Sequence, residues 1–494
     1  IVTRCNEVKT RKLLADCKAA NYNFIRVWGG GYYPDEYFYD YCDENGIIVW
    51  QDFMFACSAY LLTEEFEETV RGEVRDNVIR LRNHPSLGLW CGNNEIESAW
   101  EYWGLPEDEE AKRDYLIIFE DIIPQVLKAY DPCENTFYWP SSPSSGGGFK
   151  DASSNHAGDM HYWDVWHNFK PIEAFREFYY RFCSEYGFES LPDIKTCRAF
   201  ADETKGDFDL CSPVMAAHQK CVQGNEKIMY YLAQMVRYPY DFKQLIYSSQ
   251  LVQADCIRSN VEHMRRARGR CMGSAYWQVN DSNPVISWSS IDYFGRWKGL
   301  HYYAKRFYAP CLISCDDTHR KKPVLNISNE RMTAFDGIVK WKLRNNKAEI
   351  LQSGEKSVNV PALTAQNVLT IDLSDELKNR TDPREKYLEY SIMENGKVLS
   401  FGTTLFVRPK EFTFLEPAIT YGISESEDKF ALTFCAENYA KSVCLSLKTA
   451  DCVFSDNWFD IHGKEPVTIM IDKASLSRKM TAQELSEELE IMHN

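Results

Sequence analysis

The sequence predicts a multidomain protein: an α/β part of the (β/α)8 TIM-barrel type, followed by two all-β, immunoglobulin-like sandwich domains. Three observations lead to this prediction. Apolar strand-like runs alternate with amphipathic helical stretches up to about residue 310, as in a parallel sheet with crossover helices. After Pro310 the pattern changes to short alternating segments, which is typical of antiparallel sandwiches. The 494 residues exceed one ordinary domain.

Seven strands are predicted in the barrel part, each a short apolar run bounded by turn-forming residues. They are Phe24–Trp28, Ile47–Trp50, Leu87–Cys91, Phe137–Trp139, Asp159–Tyr162, Arg181–Ser184 and Met272–Trp277. A closed barrel of this type has eight strands. The first strand is therefore expected before Ile1, and the chain is interpreted as an N-terminally truncated fragment.

Helices are predicted between these strands from amphipathic patterns and from Gly or Pro at their ends. They are Glu7–Ala20, Pro34–Asn45, Glu64–Asn83, Ala111–Tyr130, much of Pro213–Arg268, and Trp297–Tyr308. A Ser/Gly-rich loop, Ser141–Gly148, interrupts the alternation. The predicted order is that of crossover units in a parallel sheet.

The sandwich domains are predicted from short alternating strands and one strong hairpin signal. Asn395-Gly396 suits the positive φ angles of a type I′ turn. The predicted strands are Gly337–Leu343, Val368–Leu373, Leu388–Met393, Phe430–Phe434, Val443–Leu447 and Val467–Ile471. Thr481–Met492 is expected to be a short helix or a frayed tail. The domain limits expected are 1–310, 311–411 and 412–494.

The net charge of −16 argues against nucleic acid or an anionic membrane as a partner and suits a neutral substrate. No apolar run reaches the roughly 18 residues that a membrane helix needs. The 17 cysteines are scattered and odd in number, which favours reduced thiols and a cytoplasmic location. Cys311 and Cys315 have no nearby Cys or His pair to complete a zinc site, so they are expected to be buried apolar side chains. No metal and no cofactor are predicted.

Two glutamates follow predicted strands directly, at the end where a β/α barrel carries its chemistry. Glu95 follows the buried strand Leu87–Cys91 and is preceded by Asn93 and Asn94, which can bind a sugar hydroxyl. Glu185 follows Arg181–Ser184. Glycosidic bond cleavage needs such a pair, with one carboxyl protonating the leaving oxygen and the other meeting the anomeric carbon. Farther from the strand ends, Glu97, Glu101 and Glu189 are expected at the surface.

Tryptophan is concentrated in the barrel part, with 11 of the 13 residues before position 310. Flat aromatic rings pack against the apolar faces of sugars, while polar neighbours bind the hydroxyl groups. Trp28, Trp163 and Trp277 stand at or just past the ends of predicted strands. These three are therefore better candidates for sugar platforms than tryptophans that only fill a core.

Several ordered motifs resemble those of β-mannosidases of glycoside hydrolase family 2, and they span nearly the whole chain. The motifs are Phe24–Gly31 (FIRVWGGG), Val49–Cys57 (VWQDFMFAC), Gly92–Glu95 (GNNE), Phe182–Phe188 (FCSEYGF), Tyr276–Asp281 (YWQVND), Ile286–Lys298 (ISWSSIDYFGRWK) and Val453–Asp460 (VFSDNWFD). The resemblance implies an exo-acting enzyme that releases terminal β-D-mannose from glycans.

The resemblance also implies roles for individual residues. Glu95 matches the general acid/base and Glu185 the nucleophile of a retaining double displacement, with their carboxyls about 5 to 5.5 Å apart. The charge of Glu185 is expected to raise the pKa of Glu95. Asn94 is expected to contact the 2-hydroxyl. The further substrate-binding candidates are Trp28, Asp52, Trp103, His161, Tyr162, Trp163 and Trp277.

One departure from the family pattern and two alternatives remain. Family members usually carry sandwich domains before the barrel, and one of these contributes to the sugar site, so weak or absent activity is expected from this chain alone. The first alternative is a sibling exo-β-glycosidase acting on β-galactosides, β-glucuronides or β-glucosaminides. The second is a fragment that binds carbohydrate without turnover. The sequence does not indicate an oligomeric state.

Overall fold

The computed structural model describes residues 2–105, 108–133 and 136–494. The chain divides into two compact units. The first comprises Ile1–Tyr186 and Gly269–Tyr276, and the second comprises Gly187–Arg268 and Trp277–Asn494. Within the described ranges, no helix is both long enough and apolar enough to cross a membrane.

The first unit is built on parallel strands. Four of them form one sheet in the order β1-β2-β3-β4, and β5 pairs with β6 in the same parallel sense. The strands are β1 (Phe24–Val27), β2 (Ile48–Asp52), β3 (Leu87–Cys91), β4 (Tyr138–Trp139), β5 (Met160–His161) and β6 (Cys183–Glu185). Single parallel bridges continue this arrangement beyond the strand ends, at Asn94 with Ser142 and at Cys183 with Ser274.

Helices connect these strands and bury one face against the sheet. They are α1 (Glu7–Ala19), α2 (Glu36–Asn45), α3 (Glu64–Leu81), α4 (Ile96–Tyr102), α5 (Glu109–Leu116), a π-helical turn (Ile117–Ile122), α6 (Ile123–Tyr130) and α7 (Asp164–His167). In α3, Val70, Val74, Val78 and Leu81 recur at helical spacing and are buried. They pack in a core with Trp90, so α3 supports the strand that leads to Glu95.

The second unit begins with helices. These are α8 (Ile194–Cys197), α9 (Pro213–Ala217), α10 (Gly224–Met235), α11 (Phe242–Arg266) and α12 (Gly299–Phe307). The long helix α11 buries most of its first half, from Leu245 to Ala254. An Asp241 side chain caps its first turn by accepting a hydrogen bond from the backbone of Gln244.

Two antiparallel sandwiches follow. The first packs the sheet β10-β9-β12-β13 with β11-β8-β7, and the second contains the sheets β14-β15-β18 and β17-β16-β19. The strands are β7 (Cys311–Asp316), β8 (Val324–Asn329), β9 (Phe335–Asn345), β10 (Ile350–Val360), β11 (Thr364–Thr370), β12 (Lys386–Glu394), β13 (Lys397–Leu405), β14 (Thr420–Glu425), β15 (Lys429–Cys435), β16 (Tyr439–Leu447), β17 (Phe459–His462), β18 (Val467–Asp472) and β19 (Leu489–Met492). Two short helices are α13 (Asp382–Glu385) and α14 (Ala482–Glu488).

Most predicted elements are confirmed within a few residues. Asn395 and Gly396 have the positive φ angles expected of the β12–β13 turn. Cys311 and Cys315 are buried in the apolar core of the first sandwich, as expected. The prediction for the last residues was incomplete: after α14 the chain forms β19, which pairs with β16 from Cys444–Met492 to Leu447–Leu489. The strand predicted at Met272–Trp277 forms only isolated bridges.

Candidate active site

The carboxyl ends of the parallel strands of the first unit bring polar side chains together. Asp52, His161 and Glu185 are the last residues of β2, β5 and β6. Glu95 lies beyond β3, where its φ of 62° begins helix α4. That left-handed conformation is uncommon for a residue with a side chain and is typical of functional positions.

Gly92 allows the chain between β3 and Glu95 to lie close to the neighbouring strand. A Cβ atom there would stand 2.2 Å from the carbonyl oxygen of Pro140. The backbone N–H of Glu95 donates to the carbonyl of Ser142 at 2.8 Å. Any larger residue at position 92 would displace this contact and with it the side chain of Glu95.

Glu95 and Glu185 meet at one place together with His161. A carboxyl oxygen of each glutamate and a ring nitrogen of His161 lie within 4.8 Å of one another. The glutamate side chains are 13% and 9% exposed. Two carboxyls this close, largely removed from water yet still reachable, suit reaction at a single carbon atom between them.

Arg26 on β1 connects both glutamates to the strands behind them. Its Nη1 donates to Oε2 of Glu185 at 3.3 Å, and its Nη2 donates to Oδ1 of Asn94 at 2.9 Å. Asn94 in turn donates from Nδ2 to Oε2 of Glu95 at 3.2 Å. One guanidinium therefore sets the position of Glu185 directly and that of Glu95 through Asn94.

Glu185 is held by donors on two sides. Nε1 of Trp163 donates to Oε1 at 3.1 Å, while Arg26 contacts Oε2. Burial raises the pKa of Glu185 to about 7, and the nearby charge of Glu95 acts in the same direction against His161 and Arg26. The carboxylate form that a nucleophile requires is therefore reached near neutral pH.

Glu95 is paired with His161. Nδ1 of His161 lies 2.8 Å from Oε1 of Glu95, and Sγ of Cys57 lies 3.6 Å from Oε2. Burial acts to raise the pKa of Glu95, but the hydrogen bond from His161 and its charge lower it below its ordinary value. The pKa of Glu95 is therefore lowered and not raised as expected, because the sequence did not reveal how close His161 comes. Burial acts to lower the pKa of His161, yet Glu185 and Glu95 raise it.

Asp52 is a partner of Arg26 in the structure and is fully buried. Its Oδ1 accepts from Nε of Arg26 and Nε1 of Trp50, and its Oδ2 accepts from Nη2 of Arg26 and the backbone of Gly29. Four donors occupy both oxygens. Asp52 therefore acts on the cluster through the guanidinium.

Trp28, Trp103 and Tyr162 were also predicted to bind substrate. Trp28 follows β1 and its ring lies over Gly30. Trp103, at the end of α4, is 51% exposed. Tyr162 is buried among Phe175, Phe178 and Tyr180, which are contacts of a core residue.

Three further residues singled out in the sequence are Trp277, Glu97 and Glu189. Trp277 belongs to the second unit, where it bridges Gly187. Glu97 and Glu189 are fully buried, so the expectation that they lie at the surface was wrong. Burial raises the pKa of Glu97 to about 7.

Sequence reasoning missed the buried residues that support the site. Arg26 was visible only as one charged residue inside the apolar run Phe24–Val27, and that was the available signal. Oγ of Ser142 lies 3.0 Å from Nε2 of His161, and the same hydroxyl donates to Oδ2 of Asp159. Neither the Ser/Gly-rich loop nor the start of a strand gives a pattern that predicts such contacts.

Among the residues that the structure describes, two groups have the side chains and spacing to hold a metal ion: Glu95 with His161 and Glu185, and Asp40 with Asp43 and His84. In the first group the guanidinium of Arg26 contacts Glu185 and so already supplies positive charge. In the second, both ring nitrogens of His84 are engaged by Asp43 and Glu36.

Comparison with known proteins connects this geometry to one family. Residues 322–411 match the family described as Mannosidase Ig/CBM-like domain, and residues 414–494 match the family described as Ig-fold domain. A β-mannosidase B from Neosartorya fischeri is 37% identical over 470 residues, which cover 88% of this chain and 54% of that protein. The chain spans about half the length of the curated relatives it matches.

Solved structures share the fold. The crystal structure of a β-D-mannosidase from Dictyoglomus thermophilum matches with a TM-score of 0.89 and 30% identity, covering 99% of this chain and 58% of that one. An exo-chitosanase from Amycolatopsis orientalis matches with a TM-score of 0.73 and 15% identity, covering 99% and 61%. The second match shows the fold alone. The predicted fold class, an α/β part followed by two immunoglobulin-like domains, is confirmed, while closure into eight strands remains a prediction.

Proposed function

The chain is related to the β-mannosidases of glycoside hydrolase family 2, and from this premise we propose that it catalyses retaining, exo-acting release of terminal β-D-mannose from the non-reducing end of β-mannosides. One observation carries the proposal: carboxyl oxygens of Glu95 and Glu185 lie within 4.8 Å of each other. Retaining glycosidases hold their carboxyls about 5 to 5.5 Å apart, whereas inverting ones need room for a water between them.

Glu185 is the proposed nucleophile. Its carboxylate attacks the anomeric carbon while Glu95 donates a proton to the aglycone oxygen, so that a covalent mannosyl-enzyme forms as the glycosidic bond breaks. Glu95, now ionised, then takes a proton from water, and the water oxygen displaces Glu185 with overall retention. Arg26 and Trp163 supply donors to Glu185 that favour its ionised form before attack.

The other predicted residues receive supporting roles in this proposal. Asn94 contacts the 2-hydroxyl, which is axial in mannose, and Asp52 positions Arg26. Trp163 binds Glu185 and is also proposed to border the sugar site. Trp28 and Trp103 are proposed to form part of the pocket wall, whereas His161 acts on Glu95 and Tyr162 packs in an aromatic core. A substrate contact for Trp277 stays a prediction from the sequence.

The proposed substrate is a neutral β-mannoside glycan, in keeping with the net charge of −16, and neither nucleic acid nor a membrane is a proposed partner. A cytoplasmic location is also proposed, because the 17 cysteines are scattered and odd in number. The proposed domain limits remain 1–310, 311–411 and 412–494.

The test is hydrolysis of 4-nitrophenyl β-D-mannoside by the full-length protein, with proton NMR to identify the first anomer released. We expect β-mannose first, preference for mannoside over galactoside, glucuronide and glucosaminide, and loss of turnover in Glu185→Gln. Glu177→Gln, which replaces an exposed glutamate of the same unit, is the control. A clear preference for another glycoside, or α-mannose as the first product, would overturn the proposal.

A further inference from the structure

We propose that Ser142 and Asp159 fix the tautomer of His161, so that Nδ1 of His161 and Oε1 of Glu95 hold one proton between them. The inference rests on the proposed function insofar as Glu95 is the acid/base. It makes His161 a positioning residue that stores the catalytic proton, instead of a wall of the sugar pocket.

The argument begins at Asp159, which is buried and accepts four hydrogen bonds. Nε1 of Trp139 donates to Oδ1 at 2.7 Å, and the backbone N–H of Ser144 donates to the same oxygen at 2.9 Å. The hydroxyls of Ser142 and Ser184 donate to Oδ2 at 2.7 and 2.5 Å. These donors fill the acceptor positions of the carboxylate.

The hydroxyl of Ser142 connects Asp159 to His161. A serine hydroxyl carries one hydrogen, and in Ser142 that hydrogen is used by Asp159. Oγ of Ser142 also lies 3.0 Å from Nε2 of His161. With that hydrogen on Asp159, the oxygen accepts in this contact, which assigns a hydrogen to Nε2. In the opposite tautomer a bare Nε2 would accept from Nη1 of Arg26, 3.4 Å away.

The hydrogen on Nε2 also determines how Nδ1 of His161 can interact with Glu95. With the hydrogen on Nε2, a neutral His161 has a bare Nδ1, which can only accept. Nδ1 lies 2.8 Å from Oε1 of Glu95, so one proton must occupy that contact. Either the carboxyl group of Glu95 donates to neutral imidazole, or imidazolium donates to the carboxylate.

The charged groups around His161 act on these two forms in opposite directions. Glu95 and Glu185, whose Oε2 is 3.8 Å from Nδ1, favour imidazolium. Nη1 of Arg26, 3.4 Å from Nε2, opposes it. The proton can therefore move from Nδ1 to Oε1 and on to the aglycone oxygen, which receives the electron pair of the breaking bond. In the second step the proton taken from water returns along the same path.

The direct test is the tautomer of His161, measured by 15N NMR on the full-length protein labelled with 15N-histidine. The signal of His161 is the one that disappears in His161→Gln. We expect the 15N shifts of the wild-type protein to show hydrogen on Nε2 at every pH. In Ser142→Ala the Nδ1–H tautomer should appear, and Ser142→Thr should restore the wild-type spectrum. Ser184→Ala is the matched control, because Ser184 binds the same oxygen of Asp159 but not His161.

The kinetic test measures the fall of kcat/KM at alkaline pH, where Glu95 and His161 lose the proton they share. In Ser142→Ala an Nδ1–H imidazole can donate to ionised Glu95, so this fall should move to lower pH by about one unit, while Ser184→Ala leaves it in place. A neutral wild-type His161 with hydrogen on Nδ1, or equal effects of the two alanine variants, would overturn the inference. Absence of β-mannoside hydrolysis with the expected tautomer would overturn the proposed function instead.

Discussion

Arg26 and Asp52 form a buried ion pair through two parallel hydrogen bonds. Nε of Arg26 lies 3.2 Å from Oδ1 of Asp52 and Nη2 lies 2.8 Å from Oδ2, with side chains 6% and 0% exposed. This geometry leaves Nη1 directed at Glu185 and a second hydrogen of Nη2 directed at Asn94. A planar guanidinium held at one edge thus presents fixed donors at the other.

Replacement of Arg26 by lysine should therefore damage catalysis although the charge is kept. An ammonium group cannot make the paired contact with Asp52 and reach Glu185 and Asn94 together. We expect kcat/KM for an aryl β-mannoside to fall by roughly 100-fold or more, which corresponds to about 3 kcal/mol of transition-state stabilisation.

The control for that substitution is Arg331→Lys. Arg331 makes an equivalent two-point pair with Glu394 in the first sandwich, at 2.7 and 2.9 Å. Its loss should reduce stability slightly and leave kcat/KM unchanged. Similar kinetic losses in both variants would mean that Arg26 acts only on folding.

The pH dependence should follow the raised pKa of Glu185. The nucleophile must be ionised, and burial together with Glu95 brings its pKa to about 7. Activity is therefore expected to be low at pH 5 and to rise with pH as Glu185 ionises, as long as His161 and Glu95 keep the proton they share. The measurement is kcat/KM across pH 4 to 9, and an acidic limb centred near the ordinary pKa of a glutamate would contradict the raised value.

The ionisation of Glu185 should also change the free energy of unfolding: it favours activity but destabilises the folded state. A carboxyl whose pKa is higher in the folded state favours folding below its unfolded pKa, and this contribution is lost as pH rises through about 7. Glu185→Gln cannot ionise, so its free energy of unfolding relative to wild type should rise from pH 5 to pH 8 by on the order of 2 kcal/mol. Glu95→Gln should show no such gain, because the pKa of Glu95 is lowered.

Trp163→Phe should weaken the nucleophile while keeping an aromatic ring. The substitution removes the N–H that donates to Oε1 of Glu185 at 3.1 Å. A hydrogen bond to a charged group contributes about 1.5–3 kcal/mol, so kcat should fall about 10- to 100-fold and the acidic limb should move to higher pH. Trp100→Phe is the control, since the described residues give its buried indole N–H no acceptor. Equal kinetic losses in the two variants would show a packing effect alone.

The strands of the first unit, and the positions of the two glutamates at or just past strand ends, could be predicted because each depends on a local pattern. Leu87–Cys91 is an apolar run ended by Gly92, and its position in the sheet follows from the rule for parallel strands. Phe335–Asn345 and its neighbours were only partly predicted because these long strands have irregular burial, with exposed residues that hide the alternation.

The contacts within the site could not be predicted, since they join residues far apart in the chain. His161 lies 66 positions from Glu95, and no local pattern places its ring against that carboxyl. The same holds for β19, whose only pattern is the short run Leu489–Met492. It becomes a strand because β16 offers it a free edge.

Asn94 should discriminate the 2-hydroxyl of the sugar. Arg26 fixes its Oδ1 and Glu95 accepts from its Nδ2, so the amide is oriented before substrate arrives. Asn94→Ala should lower kcat/KM for an aryl β-mannoside by roughly 100-fold, as expected when a polar contact strengthens in the transition state. The 2-deoxy substrate separates this contact from a general disturbance of Glu95, because it lacks the hydroxyl that Asn94 is expected to bind. If the variant slows the 2-deoxy substrate as much as the mannoside, Asn94 acts through Glu95 and not on the sugar.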